Sequence, residues 1–281
     1  MMEPGVILAV LTAAFLHALW NFLLRRSTDK FLAMSAVTLG HVPPGIIGLV
    51  YAGPAAAESL GFVIMGAVLH TGYQLFLLNA YRYGSLTQVY PVARGVAPLL
   101  ITIFSLFAFD IKLSPLALGG IGLISFGLIF HGLQSRGKDE DSLLGFGLAL
   151  VTGCFIASYS IVDGLGARIA GSALGFYSTM TLLNAGMFAL VMMFYKPGMP
   201  RLVITKGKAI LVFGGGVSFL AYALVVWACM HAPIAMVSAL RETSVLFALV
   251  MAIFWLREPV TWQRGGLILM LVSGVVILRL A

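Results

Sequence analysis

Charge is what this sequence has least of: only 10% of its 281 residues are Asp, Glu, Lys or Arg. A water-solvated globule of that size needs far more polar surface, which leaves the bilayer as the solvent. Cysteine is scarcer still. Cys154 and Cys229 both lie in apolar segments, without CxxC spacing or nearby histidine, which argues against a disulfide framework or a zinc site and suggests buried structural thiols. A Walker A loop, an HExxH, an ordered Ser/His/Asp set and a metal-ligand cluster are missing too, so neither an enzyme nor a bound cofactor or metal is expected. The net charge of +7 is scattered through short loops, so nucleic acid is not an expected partner. No basic region precedes the first apolar run and Arg25 and Arg26 follow it, so that run is expected to remain as a span rather than be cleaved as a signal peptide.

What is present is length after length of apolar sequence, 60% of the chain being hydrophobic. A hydrocarbon core of about 30 Å needs about 20 helical residues. Runs of that size fall at 5–24, 31–50, 60–81, 86–109, 115–133, 143–162, 172–194, 209–230, 234–255 and 262–280. They are continuous and rich in Leu, Ala, Gly and Met, where a membrane barrel would show ten-residue alternating strands. The expected fold is therefore an all-α polytopic membrane protein of ten helices. The odd-to-even loops hold Arg25, Arg26, Lys30, Arg82, Arg136, Lys138, Lys196, Arg201, Lys206, Lys208, Arg257 and Arg264, against Lys112, Arg168 and Arg279 on the other side. That bias of 12 to 3 places the odd-to-even loops in the cytoplasm and both termini outside.

Shifting the chain by 147 residues lays Arg94 on Arg241, Leu99 on Leu246, Phe107 on Phe254, Gly119 on Gly266, Ile121 on Ile268 and Gly127 on Gly274 without a gap. The two arginines are the intramembrane Arg of each half. Five helices per half is an odd number, so two repeats, residues 1–134 and 142–281, are expected to be inverted relative to each other.

An arginine at mid-helix costs roughly 2.5 to 3.5 kcal/mol in the membrane and needs a polar cavity or a partner. In “SLTQVYPVARGVAPLL”, residues 85–100, Pro91, Arg94 and Pro98 share one helical face, and each proline removes the donor for a carbonyl four residues earlier. This predicts a bent, locally broken helix lining a binding site. Two further stripes at the same spacing, His17, Trp20 and Asn21 in the first span and His70, Tyr73 and Gln74 in the third, each form one polar face. From these, Arg94, Arg241, His17, Trp20, Asn21, Tyr73, Gln74, Tyr90 and Tyr159 are candidate solute-binding residues, with Tyr222 a further rim. His70 reads more simply as a hydrogen-bonded structural residue. Glu242, beside Arg241, is either a coupling proton carrier or the counter-ion of an arginine, and a plain structural clamp is an alternative role for both arginines.

The stretches “HALWNFLLRRSTDK” ending the first span, “YPVARGVAP” in the fourth and “ALRETSVLFALVMAIFWLREPVTWQRGGLILMLVSGVVIL” through the last two resemble the EamA-type family of the drug/metabolite transporter superfamily. The resemblance covers essentially the whole chain. It implies an inverted-repeat, basket-like fold with a central cavity, and transport of small metabolites. The halves differ at one turn: the second has Glu258 in “REP” where the first has Asp110, Ile111 and Lys112. The function expected is a secondary transporter in the inner (cytoplasmic) membrane. It would move a small polar metabolite with an anionic or zwitterionic group by alternating access, with proton-coupled export one form. An integral membrane enzyme or accessory subunit acting on lipid-linked substrates is the alternative. Expected partners are a small-molecule solute and the lipid bilayer, for a monomer or homodimer.

Overall fold

In hydrocarbon every backbone N–H and C=O must find its partner within the chain, and the α-helix is the simplest way to provide it. The computed structural model describes residues 2–24, 29–135, 137, 140–257 and 261–281. Of the residues used in the sequence analysis, Arg25, Arg26, Arg136, Lys138 and Glu258 lie outside the described residues. The fold is 89% helix, with no strand among the described residues. Ten helices among them are long and apolar enough to cross a membrane: Pro4–Asn21, Lys30–Ala52, Ala57–Tyr83, Leu86–Ala108, Pro115–Gln134, Glu140–Ala170, Ala173–Tyr195, Ile210–His231, Ile234–Trp255 and Trp262–Leu280. They are called spans one to ten below. The protein is thus a multi-pass membrane protein.

Span ends follow local chemistry. Asp29 caps span two by accepting from the Leu32 amide, Ser114 caps span five with Pro115 just inside it, and Ser172 and Thr261 cap spans seven and ten. Trp255, Trp262 and Tyr195 sit exposed at helix ends, where amphipathic rings favour the membrane–water boundary. Between spans seven and eight, residues Met199–Lys206 form a short helix whose Met199 and Val203 pack on Leu32 and Ala36 of span two. Cys229 is buried as expected, whereas Cys154 is exposed on the outer face of span six.

Three details differ from the pattern in the sequence. Span six runs to Ala170, well beyond residue 162, which draws Asp163 into the interior and puts Arg168 on the helix rather than in a loop. Arg168 donates from Nε and Nη2 to the carbonyl of Cys229, at 2.9 and 2.6 Å, and from Nη2 to that of Ala232, at 2.9 Å, closing the open end of span eight. Span four, expected to break at Pro91 and Pro98, is one continuous helix with both prolines buried inside it. The neighbouring turns hold it straight enough to keep its ladder, and a proline removes only its own donor. The interruptions lie elsewhere, at His41 before Pro43 and Pro44 in span two, and at Glu242 in span nine.

Packing joins span three to six, one to eight, four to six, one to nine, three to seven, two to eight, two to seven, and five to ten. Spans two and eight meet backbone to backbone, since a Cβ on Gly40 would run into the Leu211 carbonyl oxygen and one on Gly215 would lie only 2.5 Å from the Gly40 Cα. Spans five and ten cross where Gly120 and Gly274 each face the other's carbonyl. Two coincidences of register stand out. Among the described residues, the non-glycine ones with left-handed backbone, Asp110 and Arg257, end spans four and nine and are 147 residues apart. The side-chain caps of the following spans, Ser114 and Thr261, are separated by the same interval.

Candidate functional site

The break in span nine builds the site. Helix Ile234–Arg241 ends, Glu242 adopts a turn-like ψ of −11°, and a new helix starts at Thr243. The junction is held by i to i−3 bonds: the Glu242 amide donates to the Ala239 carbonyl at 3.1 Å and the Val245 amide to that of Glu242 at 3.0 Å. This tighter turn presents Arg241 and Glu242, neighbours in sequence, to the protein interior together. Across from them, on span four, Arg94 donates from Nε to Oε2 of Glu242 at 2.7 Å and from Nη2 to the Ser244 hydroxyl at 3.1 Å. Arg94 is 5% exposed and Glu242 0%, so this is a fully buried, charge-assisted pair.

Arg241, 4% exposed, is not so satisfied. Its Nε and Nη2 make no hydrogen bond, although both atoms are buried. Its Cζ lies 5.7 Å from the centroid of the Tyr222 ring, and Tyr159 presents its hydroxyl to the guanidinium. Arg94 sits over Tyr90 at the same distance. Oε1 of Glu242, the hydroxyl of Ser238 one turn before Arg241, and the indole N–H of Trp20 are buried without partners as well. Buried polar groups are rarely left in this state, because each forfeits its water without return. Donors dominate the unsatisfied set.

The candidate residues largely converge here. His17 and Tyr73 lie within electrostatic range of both Arg94 and Arg241, and Tyr90 and Tyr159 of Arg94. Half-buried His17, Tyr73, Tyr90 and Tyr222 thus surround charges that are themselves enclosed. Trp20 meets the His17 ring edge-on at 5.4 Å. Asn21 turns back, donating to the His17 carbonyl at 2.8 Å. Gln74 stands apart from the cluster, its amide bonded to Thr38 and Asn184 in a polar seam between spans two, three and seven.

Sequence reasoning missed Asp163. The residue is 1% exposed, and its Oδ2 accepts from the Tyr222 hydroxyl at 2.7 Å and contacts Nε2 of His70 at 2.8 Å. His70 stacks on Tyr159 with centroids 4.1 Å apart. The signal was there: Asp163 lies four residues after Tyr159, on the same helical face, once the span is allowed to run past 162.

A cavity of about 300 Å³ opens among Asp29, Lys30, Phe31, Leu78, Tyr81, Arg82 and Lys196, at the ends of spans two, three and seven. Tyr81 on the wall of this mouth belongs to span three, the helix that also carries Tyr73 of the buried site.

No family model matches the sequence. A solved crystal structure superposes on the chain with a TM-score of 0.77, covering 99% of this chain and 97% of its own, at 16% identity. The complete ten-helix arrangement is therefore a fold that a solved protein also adopts.

Proposed function

We propose that this protein is a secondary transporter that carries a small solute with a carboxylate, phosphate or similar anionic group, zwitterions included, through the membrane by alternating access. The observation that carries this reading is Arg241. A guanidinium enclosed at mid-membrane with two nitrogens unpartnered is a costly arrangement for a clamp and a suitable one for an anion. Arg94 has the other role: Glu242 neutralises it, and the pair holds span four against span nine. Aromatic rings around the site supply faces and hydroxyls that select a small polar solute over bulk ions.

We further propose that spans one to five and six to ten are inverted repeats, as in the EamA-type transporters that the sequence resembles. The packing pattern favours it, because exchanging each span for the one five positions away turns the contact of three with six into that of eight with one, four with six into nine with one, and three with seven into eight with two. The recurrence of left-handed residues and helix caps at the 147-residue interval favours it too. Rocking of one repeat against the other would then expose the central site alternately. In this account the protein lies in the inner membrane with both termini outside.

The test is flux through reconstituted vesicles, measured in both directions against a panel of carboxylates, phosphates, phosphonates and amino acids. At least one solute should move saturably, and Arg241→Ala should abolish that movement in protein that remains folded. Absence of flux for every class, with turnover of a lipid-linked substrate instead, would replace the transporter with a membrane enzyme.

A further inference from the structure

Among the described residues, the buried charged side chains are Arg94, Arg241, Asp163 and Glu242. Two are cationic and two anionic, so with His70 neutral the interior balances. Arg94 and Glu242 cancel by direct contact. That leaves Arg241 and Asp163 to answer each other, and Tyr222 connects them: its hydroxyl bonds Asp163 while its ring faces the Arg241 guanidinium. Tyr159 makes a second link, stacked on His70 and presenting its hydroxyl to Arg241.

We infer that the His70–Asp163 pair is the proton-binding site of this protein, and that a proton there and an anion at Arg241 favour each other, so that the two cross the membrane together. The inference rests on the reading of Arg241 as the anion site. Its logic is charge balance in a low-dielectric interior. An anion that engages Arg241 takes over the balance that Asp163 supplied and leaves the carboxylate uncompensated. The 2.8 Å contact is Nε2–H of His70 donating to Oδ2 of Asp163, so one proton added to the pair goes to His70 Nδ1 or to the unpartnered Oδ1 of Asp163, and it restores neutrality. When the anion departs, Arg241 repels the added charge and the proton follows. Glu242 suits this task less well, because its contact with Arg94 fixes it as a counter-ion.

The surroundings offer little competition. Tyr222 and Cys229 from span eight, Tyr177 from span seven, Tyr159 from the same helix as Asp163 and Arg241 from span nine face the pair. His41 on span two is within electrostatic range of His70 but bonds Thr181. Oδ1 of Asp163 is buried and unpartnered against Gly66, where a Cβ would approach it to 2.7 Å, so one oxygen is open to a proton.

The experiment follows the imidazole nitrogens of the whole protein by NMR during a pH titration without solute, with His70→Gln identifying the His70 signal among the five histidines. Arg241→Gln should hold the His70–Asp163 proton to a pH higher by about one unit or more, the size expected for unit charges a tyrosine ring apart at an effective dielectric of about 20. Arg241→Lys, which keeps the charge, should titrate like the native protein. Asp163→Asn, which removes the carboxylate and keeps the shape, should lower the pH at which His70 releases its proton in both the native and the Arg241→Gln background. An unchanged His70 titration in Arg241→Gln would overturn the inference, as would equal shifts in Arg241→Gln and Arg241→Lys, which would trace the effect to packing. If the titrations come out as expected and no anion of the vesicle panel binds, the proton site stands and the anion site alone fails.

Discussion

Arg94 and Arg241 carry the same charge 147 residues apart, yet their surroundings differ. Arg94 has a carboxylate at 2.7 Å and a hydroxyl at 3.1 Å, whereas Arg241 has aromatic faces and two unbonded nitrogens. Breaking a buried ion pair from one side leaves an uncompensated charge and costs roughly 3 to 5 kcal/mol. Glu242→Gln should accordingly lower thermal stability by that order, and Arg94→Gln in the same chain should restore much of it because both charges then leave together. A melting-temperature cycle over the two single variants and the double variant checks this; additive losses would contradict the pairing. Both arginines were legible in the sequence, since a guanidinium inside an apolar run needs a reason. Their partners were not, because Arg94 and Glu242 meet across 148 residues of chain and only the folded path brings them together. Asp163 was hidden by a rule of length: a span drawn at about 20 residues stops at 162, while the helix continues for 31 residues in all.

At the scale of the elements, the interruption that matters lies in span nine, not between the prolines of span four. Proline is the obvious mark of a broken helix, but a helix packed on its neighbours tolerates two of them, whereas the Arg241–Glu242–Thr243 turn breaks without one. Nothing in that tripeptide announces a break; the Thr243 hydroxyl, donating back to the Leu240 carbonyl at 2.8 Å, and the ion pair to span four stabilise it after assembly. Helix contacts, by comparison, leave a sharper trace. Gly40 has room for no side chain because Leu211 and Gly215 lie against it, while a Cβ on Gly216 would meet nothing within 4 Å. Gly40→Val should therefore sharply reduce the yield of folded protein, and Gly216→Val should leave it near native. Equal yields and equal melting temperatures for the two would mean that spans two and eight do not meet as described.

For the molecule as a whole, the ten spans were readable because bilayer thickness imposes one length on every crossing, and nearly all observed ends fall within a few residues of the apolar runs. The proposed repeat rests in the sequence only on a faint register of 147 residues, to which the folded chain adds matched caps and left-handed turns. Orientation has its own check. The basic bias predicts that Ser135 and Gly198 lie on the cytoplasmic side, and cysteines placed there should then react in intact cells only with a permeant reagent. Labelling of both by an impermeant reagent would invert the molecule, and the mouth beside Tyr81 with it. In the proposed division of roles, Arg241 holds the solute while Arg94 holds the fold. This division is tested most directly by measuring affinity for a transported solute and melting temperature together on Arg241→Ala, Arg241→Lys and Arg94→Ala. A charged hydrogen bond is worth roughly 1.5 to 3 kcal/mol, so Arg241→Ala should lose about tenfold to a hundredfold in affinity in protein that remains folded. Arg241→Lys should fall between it and the native protein, because lysine keeps the charge without the planar fork. Arg94→Ala should lose stability first. Native affinity in folded Arg241→Ala would contradict the account.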